Sequence, residues 1–519
     1  LWALAALTGL GLAVRFASLG VQSYHHDEVI TVARVIPGSF ADMLHAVKGS
    51  ESNPPLYYAL AWGWAKAFGT GEVGIRSLSA LLGAATVPVA FLAAREAASS
   101  RAGLIAAAIV AVNPMLIWYS QEARSYALLV LLGAISLLFF LRALQRKEGS
   151  DLAFWALASA GALCSHYFAV FAVAIEAAWL LVALRSRWRA VLPAVAGVGL
   201  VGLALVPLIA AQVNPKHIGW IDGTPLPSRL FQTGVSFLAG ETGHIIAEPP
   251  RERYALIPVV LVGVALLLLA LRGSGRERRA ALPPLAVGLG VAVLAVAAAL
   301  AGKDYVVERN LLPALTPLVV VVAIGFGARR ARRAGAIGAT LLCAYWLGFA
   351  VYVARTPNLQ RPDFRGLTGQ LGPARRPRAI VGWKLAADPI RFYLHDGSKR
   401  LYSGGTPLRE IDVIGKPIAK KQPVTLPRGF HQVERIRLER LTLIRYVSRR
   451  LDDIPFHVLR DLPTGFGTNG VVVDGLRAAP AGVPSRTPPP SRSRPCRRCS
   501  EGRGRGSGGS GSSSPRGTG

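Results

Sequence analysis

An α-helical polytopic membrane protein of about eleven spans with a small C-terminal α/β domain is the architecture this sequence predicts, and three observations predict it. Of its 519 residues 52% are hydrophobic and the mean hydropathy is +0.39, too apolar for an ordinary soluble enzyme. Apolar runs long enough to cross a bilayer recur through residues 1–353. The formal net charge of +30 is gathered in short loops between those runs, where arginine acts as a topology signal. On a soluble surface the same charge would suggest nucleic acid; here no nucleic-acid partner is expected.

Taken in order, the spans are expected at about 1–20, 76–95, 102–118, 125–144, 152–165, 168–184, 190–211, 255–271, 282–301, 311–328 and 335–353. The start at Leu1 without a methionine points to a truncated N-terminus, with no cleavable signal peptide expected. Every second loop is basic. Arg95 and Arg101 come first, then Arg142, Arg146 and Lys147, then Arg185, Arg187 and Arg189; Arg272, Arg276, Arg278 and Arg279 follow, and finally Arg329, Arg330, Arg332 and Arg333. By the positive-inside rule these loops are cytoplasmic, in a multi-pass protein of the cell (inner or plasma) membrane. The alternate loops then face outward. They hold Asp27-Glu28, Gln121-Glu122-Ala123-Arg124, His166-Tyr167, the segment 212–254, and Lys303 to Asn310. All the polar constellations thus fall on one side, and the count of basic residues that put them there knew nothing of the carboxylates.

The first outer loop, 21–75, is expected to carry amphipathic helices. Pro37 to Lys48 reads as one, and 53–69 as an interfacial or re-entrant piece, since about fifteen residues is short for a span and Pro54-Pro55 suits a helix start. Residues 354–478 carry Arg, Asp and Pro throughout, with strand-like stretches at Ala379 to Trp383 and Arg435 to Leu441. They read as a soluble α/β domain, extracytoplasmic on the span count. Residues 479–519, rich in Pro, Arg, Ser and Gly, are expected to be disordered. Of the four cysteines, Cys164 and Cys343 lie in apolar segments, and Cys496 and Cys499 form a lone CxxC in the tail, so no disulfide framework is implied.

Asp27 and Glu28 follow the first span directly, at the level of lipid headgroups. A carboxylate there can act as a general base on an acceptor hydroxyl or help bind a divalent cation. The competing reading is that Asp27 caps a juxtamembrane helix with Glu28 in its first turn. His25 and His26 are metal ligands on one reading and plain polar loop residues on the other. In the stretch Trp118 to Tyr126, the aromatics suit membrane anchors, Tyr119 also being a candidate substrate contact. Glu122 and Arg124, at a span end, must be solvated, paired or used. Arginine's planar fork suits phosphate oxygens. Arg309 and Lys303 add positive charge to an outer loop, which suits an anionic lipid-phosphate ligand. His166 alone would be a hydrogen-bonded structural residue as readily as a site residue.

The motifs HHDE after the first span, NPPLYYAL, RSLSALLGAATVPVAF, WYSQEARSY, HYF and ERNLLPALTP, in this order over residues 1–353, resemble the bacterial family 39 glycosyltransferases of the GT-C superfamily. Relatives there include protein O-mannosyltransferases and the aminoarabinose transferase of lipid A. The resemblance implies a GT-C-like membrane domain that moves a sugar from a polyprenyl-phosphate donor to an extracytoplasmic acceptor (protein, lipid or glycan), with inversion. It makes Asp27 the catalytic base with Glu28 in support and Glu122 a second acidic site residue. Arg124 and Arg309 would hold the donor phosphate, and His166 would line the pocket. Many relatives carry histidine where this chain has Asn53, which leaves metal dependence open. The rival from another class is a transporter or flippase of lipid-linked sugars. That reading prefers charges near the bilayer midplane and repeated halves, whereas here the charges are expected at span ends. A third reading, an assembly protein whose 354–478 domain binds wall components, rests on that domain alone.

Overall fold

The computed structural model describes the chain apart from residues 147, 214–222, 242–251, 395–396, 417–425, 439–440, 467 and 476–519. The expected disordered tail, its CxxC and part of the 212–254 loop therefore lie outside the described residues.

Helices α1 (Trp2–Phe16) and α2 (His26–Ile30) come first, and α2 runs into a π-helical turn, Thr31–Val35. Two short helices follow in the same loop, α3 (Phe40–Ser50) and α4 (Leu56–Phe68). The long helices α5 (Glu72–Ala97), α6 (Ser100–Val112), α7 (Pro114–Ser120), α8 (Tyr126–Arg146), α9 (Gly149–Ser165) and α10 (Ala169–Ala183) follow. Next come α11 (Trp188–Ala204), α12 (Val206–Gln212), α13 (Leu226–Ala239), α14 (Glu252–Arg272) and α15 (Gly275–Leu300). A 3-10 stretch, Glu308–Ala314, leads into α16 (Leu315–Gly327), and α17 (Arg332–Arg355) ends the bundle. Each of the eleven apolar segments read from the sequence coincides with helix. Among the described residues seven helices are long and apolar enough to cross a membrane, and an eighth is if α6 and α7 count as one bent span.

Helix α16 is apolar on every side and buried throughout, the post around which α6, α14, α15 and α17 pack. Close approach between helices depends on glycine. Gly335 of α17 lies on the Phe326 carbonyl and Gly325 of α16 on the Ala265 carbonyl, positions where any Cβ would force the helices apart. Helices α11, α14 and α15 turn Leu200, Leu203, Leu267, Leu271, Leu289 and Val293 outward, a surface that suits hydrocarbon rather than water.

The break between α6 and α7 aims the chain at the site. Asn113 Oδ1 accepts the Leu116 amide at 3.0 Å and Pro114 opens the new helix, so the two meet at 56°. Such a bend frees carbonyls, and Arg15 of α1, fully buried, supplies donors to Val110 O and Ala111 O, both at 3.0 Å. Glu176, buried midway along α10 against Trp155 and Ser136, corrects the expectation that charge is confined to span ends.

After α17 the chain forms α18 (Phe364–Leu371), α19 (Ala387–Leu394), α20 (Phe456–Arg460) and six strands: β1 (Arg378–Trp383), β2 (Lys399–Leu401), β3 (Gly405–Gly415), β4 (His431–Leu438), β5 (Leu441–Pro455) and β6 (Asn469–Asp474). The sheet order is β2-β6-β1-β3-β5-β4, with β1 and β3 parallel and the other pairs antiparallel. β1 is central and buried on both faces, as its continuous Ala379-Ile380-Val381 run requires. This small domain sits on the first loop of the bundle. Tyr24 N donates to Tyr393 Oη at 2.7 Å, Phe364 N to Ser23 Oγ at 2.9 Å, and Asp388 faces His26 at 3.3 Å and Arg34 at 3.1 Å.

Candidate active site

The site begins where α2 starts. His25 precedes the helix, and its amide donates to Glu28 Oε2 at 3.1 Å. The capping role foreseen for Asp27 therefore belongs to Glu28. That frees the Asp27 carboxylate, 32% exposed, to face outward with Arg309 Nη1 at 3.4 Å. Burial alone would raise the Asp27 carboxyl, but the charges of Arg124 and Arg309 outweigh it and hold it well below the usual carboxylate range.

Glu28 looks the other way and is 1% exposed. Arg76, in the first turns of α5, grips it through Nε and Nη2, each at 2.7 Å, and the Ala123 amide adds a third bond at 3.0 Å. The same guanidinium donates to the carbonyls of Leu19, Gln22 and Ser23, so one residue ties α5, the first loop and the turn before α8 together. Burial would raise the Glu28 carboxyl; Arg76, by charge and hydrogen bond, brings it instead to about 2.

Two further acid–base pairs surround this one. Arg124 Nη1 donates to both oxygens of Glu51, at 2.8 and 2.6 Å, and to Thr31 Oγ1 at 3.2 Å, in the π-helical turn. Glu122 pairs with Arg361, which comes from beyond the last span, lies 4.5 Å over the Trp118 ring and approaches Glu28 at 3.6 Å. At Glu122 burial outweighs the charge of Arg361, and its carboxyl is raised. Two carboxyls of one site are thus pushed apart, Asp27 firmly ionised and Glu122 towards the neutral form.

Aromatic rings form one wall. Tyr119 meets Tyr126 at 4.9 Å, Tyr126 meets His166 at 5.7 Å, and His166 meets Phe168 at 5.6 Å. His166 Nδ1 accepts the Phe168 amide at 3.3 Å; burial, and then Arg124 and Arg309, lower the imidazole to about 3 and keep it neutral.

The structure brings Asp27, Glu28, Glu122, Arg124, His166, Arg309 and Tyr119 to one end of the bundle. Lys303 is exposed in the loop after α15 and makes no ion pair with these carboxylates. Sequence reading missed Glu51, Arg76 and Arg361. An arginine inside the first turns of a span was a usable signal for Arg76; Glu51 and Arg361 sit in polar loops that give none. No group of three or more His, Cys, Asp or Glu among the described residues could hold a metal. Asp27, Glu28, Glu51 and Glu122 each face an arginine, a donor set that does not fit a divalent cation.

Residues 52–210 match the family described as dolichyl-phosphate-mannose-protein mannosyltransferase. Among solved structures, ArnT from Cupriavidus metallidurans superposes with a TM-score of 0.52 at 12% identity, covering 85% of this chain and 97% of that one. The chain is a membrane glycosyltransferase with a GT-C-like fold. An oligosaccharyltransferase from Archaeoglobus fulgidus is also similar, with a TM-score of 0.43, 12% identity, and 71% and 56% coverage of this chain and that one. For the S. cerevisiae protein O-mannosyltransferase the values are 0.30, 19%, and 41% and 32%. No curated protein sequence matches. In this glycosyltransferase the matched segment holds Arg76, Glu122, Arg124 and His166, while Asp27, Glu28, Glu51, Arg309 and Arg361 come from outside it.

Proposed function

We propose that this glycosyltransferase moves a sugar from a polyprenyl-phosphate donor to an acceptor hydroxyl on protein, lipid or glycan, at an extracytoplasmic site, with inversion and with Asp27 as base. The observation that carries the reading is the Asp27–Arg309 pair: the most accessible carboxylate of the site, held ionised, beside a guanidinium at 3.4 Å. The acceptor oxygen attacks the anomeric carbon and Asp27 takes its proton as that bond forms. The bond from the anomeric carbon to the phosphate oxygen breaks, and its electron pair leaves with the polyprenyl phosphate. Arg309 faces the charge that grows there, together with Arg124, whose Nε has no hydrogen-bond partner among the described residues although its Nη1 is held by Glu51. Phosphate is a good leaving group, so proton removal and charge neutralisation are the tasks that remain. The ArnT structure is bound to undecaprenyl phosphate, which supports a lipid-linked donor.

The test is transfer from radiolabelled polyprenyl-phosphate sugars in membranes holding wild type or Asp27→Asn, with mass analysis of envelope glycolipids and glycoproteins. Equal transfer by the two would overturn the assignment of Asp27. A cysteine at the exposed Tyr402, labelled by an impermeant thiol reagent only from the cytoplasm, would overturn the sidedness.

A further inference from the structure

A groove of about 700 Å³ lies at the other end of the bundle, flanked by α1, α6 and α17. At its mouth stand Arg101, Arg332 and Arg333. None of the three has an ion-pair partner among the described residues; Arg101 donates to the Arg332 backbone carbonyl, which holds its guanidinium at the start of α17. Below the mouth the walls are apolar, with Leu104, Ala108 and Val112 on α6, Ala336, Ala344 and Leu347 on α17, and Leu7 and Leu10 closing the side on α1.

The groove's axis and direction follow from the chain. Arg101 opens α6, whose far end leads through the bend to Glu122, and Arg332 opens α17, whose far end leads to Arg361. The arginine mouth and the Asp27 site are therefore at opposite ends of the same two helices. From Arg332 to Leu347 the helix rises roughly 22 Å, at about 1.5 Å per residue. Half of a bilayer's hydrocarbon is about 15 Å deep, so the groove can take an acyl chain over its whole length. Arginines at membrane ends also serve as topology signals in open water. Here they converge on one cavity whose walls are hydrocarbon, and that calls for a ligand with an anion at one end and an alkyl chain at the other.

We propose that this groove seats an anionic phospholipid drawn from the leaflet opposite the Asp27 site, its phosphate on Arg101, Arg332 and Arg333 and one acyl chain between α6 and α17.

The experiment is native mass spectrometry of the full chain, delipidated in detergent and titrated with dioleoyl phosphatidylglycerol or dioleoyl phosphatidylcholine. Wild type should retain the glycerol lipid at least about tenfold more tightly, and each of Arg101→Gln, Arg332→Gln and Arg333→Gln should weaken it roughly fivefold. Ala108→Trp and Ala344→Trp keep the arginines and fill the groove, and should also reduce retention. Equal retention of the two lipids overturns the proposal. So does full retention by both tryptophan variants, which would mean surface attraction alone, or displacement of the lipid by millimolar inorganic phosphate, which would mean a free-anion site. The readout is lipid binding, so it is independent of whether Asp27 is the base.

Discussion

The inner and outer sides of α2 carry neighbouring carboxylates into two different regions. Inward, Glu28 is enclosed by Arg76 at 2.7 Å, the Ala123 amide at 3.0 Å, the His25 amide at 3.1 Å and Arg361 at 3.6 Å. Outward, Asp27 has one side-chain ion pair among the described residues, at 3.4 Å, and is 32% exposed. Consecutive residues of the same chemistry thus differ in what they are free to do. A carboxylate whose lone pairs are saturated by an arginine holds the fold together, because any reaction there would first have to break a buried pair. A carboxylate with one loose partner at an open lip can meet a substrate. The difference teaches that, in a cluster of acids, the number and length of the contacts separate scaffold from chemistry better than residue type does.

The sharpest way to break that comparison is to neutralise each acid alone. Asp27→Asn should lower transfer by about two to four orders of magnitude, the usual size of general-base contributions, and leave the melting temperature unchanged. Glu28→Gln and Arg76→Met should do the reverse in kind, costing about 3–5 kcal/mol of stability because a buried partner is left unpaired. Thermal unfolding in detergent checks this, and a Glu28 variant that melts like wild type but has lost transfer would exchange the roles of the two acids.

Acid should act on the inner region in a related way. The folded Glu28 carboxyl, at about 2, lies below the ordinary glutamate value of 4.5, so its contribution is fully present above that value and is lost as pH falls through about 2. The size is about 3 kcal/mol, and melting curves of Glu28→Gln should be flatter between those pH values than those of wild type.

A smaller effect is expected where the two regions meet. Arg361→Gln removes a charged bond to Glu122 without emptying the Glu28–Arg76 pair, and should lower kcat/KM about tenfold to a hundredfold with Arg361→Lys recovering part of it. An effect on melting alone would make Arg361 a purely structural tether. The smallest change belongs to the far end of the bundle. There Arg146 and Glu96 form a partly exposed pair, and Glu96→Gln should cost no more than about 1 kcal/mol and leave transfer intact.

How much of this was legible beforehand depended on how local the signal was. The helical segments could be read because an apolar run of bilayer length announces itself. Strand β1 and the second half of β4 could be read from alternation and β-branched runs, whereas β5, of which the second stretch reached only Leu441, and the pairing into a mixed sheet could not. Asp27, Glu122, Arg124, His166 and Arg309 were legible because charge or histidine at a span end is costly and conspicuous. Lys303 satisfied the same rule and the structure leaves it in solvent. Arg15 lay inside a predicted span with nothing to mark it, since its partners are carbonyls freed by a bend almost a hundred residues away.

The sequence by itself determined that the chain is a bundle of apolar helices, which ends of them are basic, and which loops carry acids, because hydrophobic length and charge are properties of contiguous residues. Only the tertiary structure decided which acid is buried. Glu28 is fixed by Arg76 and the Ala123 amide, 48 and 95 residues on, and Glu122 by Arg361, 239 residues on. Partners at such separations are chosen by how helices pack and where one of them bends. No local pattern records that choice.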